Sequence, residues 1–101
     1  MAFTKAAKVG DIEPGKIGEI QVDGKPVALA NVGGKFCAIN GECIHEGGPL
    51  GEGDLSGTVV TCPWHAWQFD VTTGKVVGNP SIGVKTYPVE VRGGEIFVDP
   101  E

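Results

Sequence analysis

Cys43-Ile44-His45-Glu46-Gly47-Gly48-Pro49-Leu50, followed downstream by Cys62-Pro63-Trp64-His65, puts one thiol and one imidazole on each of two short segments, with residues 46 to 61, 16 in all, between the inner pair. Both histidines of the chain and two of its three cysteines fall inside these two boxes. Two Cys and two His so placed form a four-ligand metal site by ligand type. The boxes read as loops. Asn40 to Leu55 carries Gly41, Gly47, Gly48, Gly51, Gly53 and Pro49, a density that interrupts helix and strand alike.

Strand signals surround the loops. Gly18 to Val22 and Pro26 to Val32 flank Asp23-Gly24-Lys25, a hairpin turn, and Gly33-Gly34 leads into a third strand, Lys35 to Ile39. Thr58 to Thr61 and Gln68 to Val71 resume the pattern, and Thr73-Gly74 turns the chain into Lys75 to Val77. Gly78-Asn79-Pro80-Ser81 reads as a loop. Beyond it Val84 to Val91 reads as one strand, joined by Gly93-Gly94 to Glu95 to Val98. The expectation is an all-β chain of roughly eight to ten short antiparallel strands with two irregular loops, centred near residues 45 and 64.

Composition agrees. A chain of 101 residues is sized for one domain, and 17 glycines with 7 prolines leave little room for long helices. Hydrophobic residues at 41% and charged residues at 21% fit neither a disordered chain nor a membrane-spanning one. No apolar run approaches the roughly 20 residues a spanning helix needs. Lys5 and Lys8 interrupt the stretch where a secretory signal would be apolar, so a cytoplasmic protein is expected. Three cysteines cannot all pair, which favours metal or thiol chemistry over disulfides.

The net charge of −5 is concentrated. No Lys or Arg lies between Lys35 and Lys75, a window holding Glu42, Glu46, Glu52, Asp54 and Asp70. Such a surface repels phosphate and excludes nucleic acid as a partner; a basic protein face suits it better, although acids also keep a small domain soluble. Cys37 alternates with Ala38 and Ile39 in the third strand and reads as a structural thiol. Once both histidines are ligands, none remains for a mononuclear oxygen-activating iron, and no glycine-rich dinucleotide fingerprint is present. The chain is therefore expected to be a component of an enzyme system and not itself an enzyme.

Two metals suit the ligands: structural zinc, and the two-iron cluster in which two His replace two Cys on one iron. Zinc folds usually pair like ligands within each turn. The mixed Cys/His pair on each loop lets both sulfurs converge on one iron and both imidazoles on the other, so iron–sulfur is the better match and a zinc-binding structural module the weaker one.

With these boxes at Cys43, His45, Cys62 and His65, with Gly47-Gly48-Pro49-Leu50 after the first and Trp67 after the second, the chain resembles a Rieske-type [2Fe–2S] ferredoxin of multicomponent non-haem iron oxygenase systems. The resemblance covers nearly the whole chain. It implies the all-β Rieske iron–sulfur fold, stacked antiparallel sheets with a small cluster-binding subdomain of two loops, in one domain, 1–101, whose residues 40 to 80 or so are inserted in a basal β domain. It implies one [2Fe–2S] cluster per chain, with Cys43 and Cys62 on the inner iron and His45 and His65 on the outer, and a proline-bearing loop at Pro80 covering the cluster. It also implies a one-electron carrier between an NAD(P)H-dependent flavin reductase and a terminal oxygenase of aromatic-ring dioxygenase or monooxygenase type. Docking would be transient, through His45, His65, Pro49 and Trp64 within the acidic rim, and the carrier a monomer. The alternative in the same family is the small Rieske subunit of an assimilatory NAD(P)H nitrite reductase. High-potential relatives carry an extra Cys in each box; here the second box holds Trp64, Ala66 and Trp67 and the first has no Cys after His45, which implies a potential near the lower end of the Rieske span, about −150 mV.

Overall fold

A computed structural model describes residues 3–43, 48–64 and 66–100. In chain order it contains β1 (Thr4–Lys8), a 3₁₀ turn (Val9–Asp11), β2 (Ile17–Val22), β3 (Lys25–Val32), β4 (Lys35–Asn40) and a second 3₁₀ turn (Leu50–Glu52). There follow β5 (Asp54–Ser56), β6 (Val59–Thr61), β7 (Gln68–Asp70), β8 (Lys75–Val76), β9 (Asn79–Gly83), β10 (Thr86–Tyr87), β11 (Val89–Arg92) and β12 (Glu95–Val98). They form three antiparallel sheets, ordered β1-β12-β11, β10-β4-β3-β2 and β5-β6-β7-β8-β9. Among the described residues there is no α-helix, and none long and apolar enough to cross a membrane.

Turn chemistry sets the register. Asp23 and Gly24 both take positive φ, 52° and 78°, the two-residue turn whose twist matches that of the strands it joins. Val22 therefore faces Lys25 and the ladder runs back to Ile17 opposite Ala30. Gly33 and Gly34, at φ 60° and 101°, do the same for β3 and β4, pairing Val32 with Lys35.

The side-chain period of two then gives β3 and β4 two working faces. Val27, Leu29 and Ala38 point into one core with Val22, Ile96 and Val98. Ala28, Ala30 and Ile39 point the other way, into a second core with Cys43, Leu50, Val60, Cys62, Phe69 and Val71. The small side chains at 28 and 30 make room for Leu50 and Phe69, both fully buried. One sheet is thus the common wall of a basal core and of the core beneath the two boxes.

Three local readings change. Val84 to Val91 is not one strand: Thr86 and Tyr87 pair with β4, whereas Val89 to Arg92 pair with β12 in another sheet. Pro88, which has no N–H to donate, lies at the switch, and its carbonyl accepts from the Asp99 amide at 3.1 Å. The Asn79-Pro80-Ser81 segment is not a loop but part of β9, an exposed edge strand where proline is tolerated. The glycine-rich region ends in a strand, β5, which pairs with β6. The strand Thr4–Lys8, paired with β12, had no sequence signal of its own because Ala6 and Ala7 give it little apolar contrast.

Candidate metal centre

The first box stands on a short antiparallel ladder. Leu50 donates to the Gly41 carbonyl and Cys43 to the Gly48 carbonyl, each at 2.8 Å, with Glu42 bridged to Pro49 between them. The second box closes in the same way, the Cys62 amide donating to the Trp67 carbonyl at 2.7 Å. Each cysteine therefore sits at the base of a finger and bonds to the carbonyl five residues on. His45 and His65, two of the four expected ligands, lie outside the described residues, as do Ile44, Glu46 and Gly47.

The two cysteines are brought together. Both are unpaired in disulfides, each is only 2% exposed, and both side chains lie in one buried cluster. Burial pushes the Cys62 thiol up; the Trp64 amide, donating to its Sγ at 3.4 Å, opposes this, and the neighbouring Cys43 adds to the rise. In this apolar pocket the Cys62 thiol is a poor place for negative charge until a cation supplies a partner for it. Two sulfur donors on facing fingers, with an amide aimed at one of them, fit an iron–sulfur cluster.

The surroundings match that chemistry. Leu50, Val60, Phe69 and Val71 seal the inner side, and Trp67 packs against this core. Trp64, between the two ligands of its box, is 49% exposed. Glu42, Glu52 and Asp54 are exposed, Pro49 is half-buried, and Glu46 lies outside the described residues. Beside the second finger, Ala66, Trp67, Val76, Val77 and Ile82 line an open groove of about 350 Å³ that sequence reasoning missed, because β9 was read as loop. Cys37 is half-buried, on the wall of a separate groove of about 420 Å³; burial raises its thiol, Lys35 lowers it and Asp70 raises it. Ala66 takes a left-handed φ of 58°, a conformation costly for a residue with a Cβ.

An all-β scaffold with two facing cysteine fingers over a sealed core defines an iron–sulfur carrier. The Rieske [2Fe–2S] domain family matches residues 2–88, and the chain belongs to it, with one Rieske cluster per chain. It is 40% identical over 101 residues, spanning 98% of this chain and 93% of the relative, to the biphenyl dioxygenase ferredoxin subunit of Pseudomonas sp. (strain KKS102). In structure it is similar to the ferredoxin of carbazole 1,9a-dioxygenase from Nocardioides aromaticivorans IC177, with TM-score 0.91, 31% identity and full coverage of both chains. A second solved structure is described as a complex of reduced oxygenase and oxidized ferredoxin in carbazole 1,9a-dioxygenase, with TM-score 0.89, 35% identity and coverage of 98% and 94%. The all-β Rieske fold read from the boxes is the fold found. These relatives are ferredoxins, the names of electron carriers; they do not favour the nitrite reductase subunit, and the family excludes the zinc module.

Proposed function

We propose that the chain carries single electrons from an NAD(P)H-dependent flavin reductase to a terminal oxygenase of aromatic-ring dioxygenase or monooxygenase type, with its cluster held by Cys43, His45, Cys62 and His65. The observation that carries this reading is the pair of buried, disulfide-free cysteines packed into one core from two separate fingers. In this assignment Cys43 and Cys62 hold the inner iron, and His45 and His65 the outer.

A bound Rieske cluster supplies one reversible electron at a mildly reducing potential. The chain's own residues do the rest. Trp64 donates its amide to the Cys62 sulfur, which favours the more negative redox state. Leu50, Val60 and Phe69 exclude water from the inner side. Trp64 and Pro49, with the two imidazoles, form a small apolar docking face, and Glu42, Glu46, Glu52 and Asp54 form its rim. Small contacts of this kind suit rapid turnover, and rim charge speeds encounter more than it tightens binding. The ferredoxin–oxygenase complex among the structural relatives supports an oxygenase as acceptor. The carrier works as a cytoplasmic monomer of one domain, 1–101, in which residues 40–80 serve the cluster.

Electron paramagnetic resonance of dithionite-reduced protein tests the ligand set. A rhombic signal with the low average g of mixed nitrogen–sulfur ligation is expected, with iron and acid-labile sulfide in equal amounts. An all-sulfur signal overturns the assignment of His45 and His65.

A further inference from the structure

Gly48 closes the base of the first finger and also touches the second. Its carbonyl receives the Cys43 amide at 2.8 Å. A Cβ built on Gly48 would lie 2.8 Å from Cys62 Sγ and 3.1 Å from both Cβ and Cγ of Trp64. Real Cβ contacts essentially never reach the first distance. The atoms met there are not the free end of a long side chain: one is a buried sulfur, and the others are the root of an indole. They also belong to the two residues joined by the Trp64 N–H to Cys62 Sγ hydrogen bond. The close approach by itself requires glycine at this position.

We propose that Gly48 is a positioning residue, the spacer whose missing side chain lets the two fingers close until Trp64 donates to the Cys62 sulfur. A methyl group at this position forces the second finger outward, stretches that hydrogen bond and opens the gap above the sulfurs to water. The bond favours the reduced, more negative state, so its loss disfavours reduction. The inference rests on the ligand assignment above, and the wild-type protein tests that assignment independently, through its iron, its sulfide and its resonance signal.

The experiment compares Gly48→Ala with Gly10→Ala, a glycine whose added Cβ would meet nothing within 4 Å and whose φ is not positive. Two readouts are taken on cluster-bearing protein: the equilibrium with a redox dye of matched potential, and the rate of bleaching by an iron chelator. Gly48→Ala is expected to shift the dye equilibrium about tenfold toward the oxidised protein, the size of one hydrogen bond to a charged sulfur, and to bleach faster. Gly10→Ala is expected to match wild type in both. Wild-type behaviour of Gly48→Ala in both readouts overturns the proposal. If Gly48→Ala yields colourless protein, thiol labelling of the cluster-free protein is read instead: with the second finger pushed outward, Cys62, 2% exposed in the wild type, is expected to label faster than in wild type or Gly10→Ala. Labelling of Cys62 at the wild-type rate overturns the proposal equally.

Discussion

Cys62 is buried at 2% exposure, with its amide donating to the Trp67 carbonyl and its sulfur accepting from the Trp64 amide. Cys62→Ser is expected to lose the native visible absorption after reconstitution; retained absorption removes Cys62 as a ligand. Leu50 is different in kind. Its side chain has no metal-binding atom, yet it is fully buried in one cluster with both cysteines. Leu50→Ala is expected to cost about 2–5 kcal/mol of unfolding free energy, read as a lower urea midpoint. At this scale the sequence was most informative. Cys, His and Trp are scarce, and the two boxes stood out by residue type and spacing; the structure brings Cys43 and Cys62 into one buried cluster, while His45 and His65 lie outside the described residues. The contact of Gly48 with Cys62 was not legible, because it joins positions fourteen apart through a fold that no local pattern encodes.

The elements were legible where a turn had to be made by a special residue. Asp23-Gly24, Gly33-Gly34 and Gly93-Gly94 all fall at observed hairpin turns, each at positive φ, and the strands beside the first two, with β12 after the third, were placed within a residue. Gly24→Ala, at φ 78°, is expected to cost about 1–2 kcal/mol, checked by thermal melting against Gly10→Ala. Strands lacking such a marker were missed or merged. β1 is too rich in alanine to alternate visibly, β9 contains Pro80, and the β10 to β11 switch at Pro88 occurs inside a run of good strand formers. Pairing between distant strands also shapes acid stability. Lys5 on β1 bonds Glu95 on β12 at 2.6 Å, and that hydrogen bond, with the charge of Lys5, holds the Glu95 carboxyl below its usual range. Because the folded value is depressed, the stabilisation is present above the unfolded carboxylate value and is lost as pH falls through the folded one. Lys5→Ala is expected to flatten the loss of stability on acidification, a small effect for so exposed a pair; an acid limb as steep as wild type would falsify that role.

Across the whole molecule, charge and sheet architecture divide the labour. The window free of Lys and Arg spans both fingers, while all eight basic residues lie outside it or at its ends. Electron transfer with a flavin reductase is therefore expected to slow as salt rises, and stopped-flow rates that ignore ionic strength contradict an acidic docking rim. The all-β class followed from glycine, proline and the strand pattern. The way three sheets share two cores did not, because Ala28 and Ala30 carry no hint in sequence that they face a different core from Val27 and Leu29. That shared wall has a practical corollary for anyone wishing to build a minimal redox maquette. A synthetic peptide spanning only the two boxes would arrive without its floor: Ala28, Ala30 and Ile39 come from β3 and β4, outside the excised piece. Transplanting the metal-binding ends into another host therefore demands a recipient sheet that already offers two small residues and one large one in the same alternation.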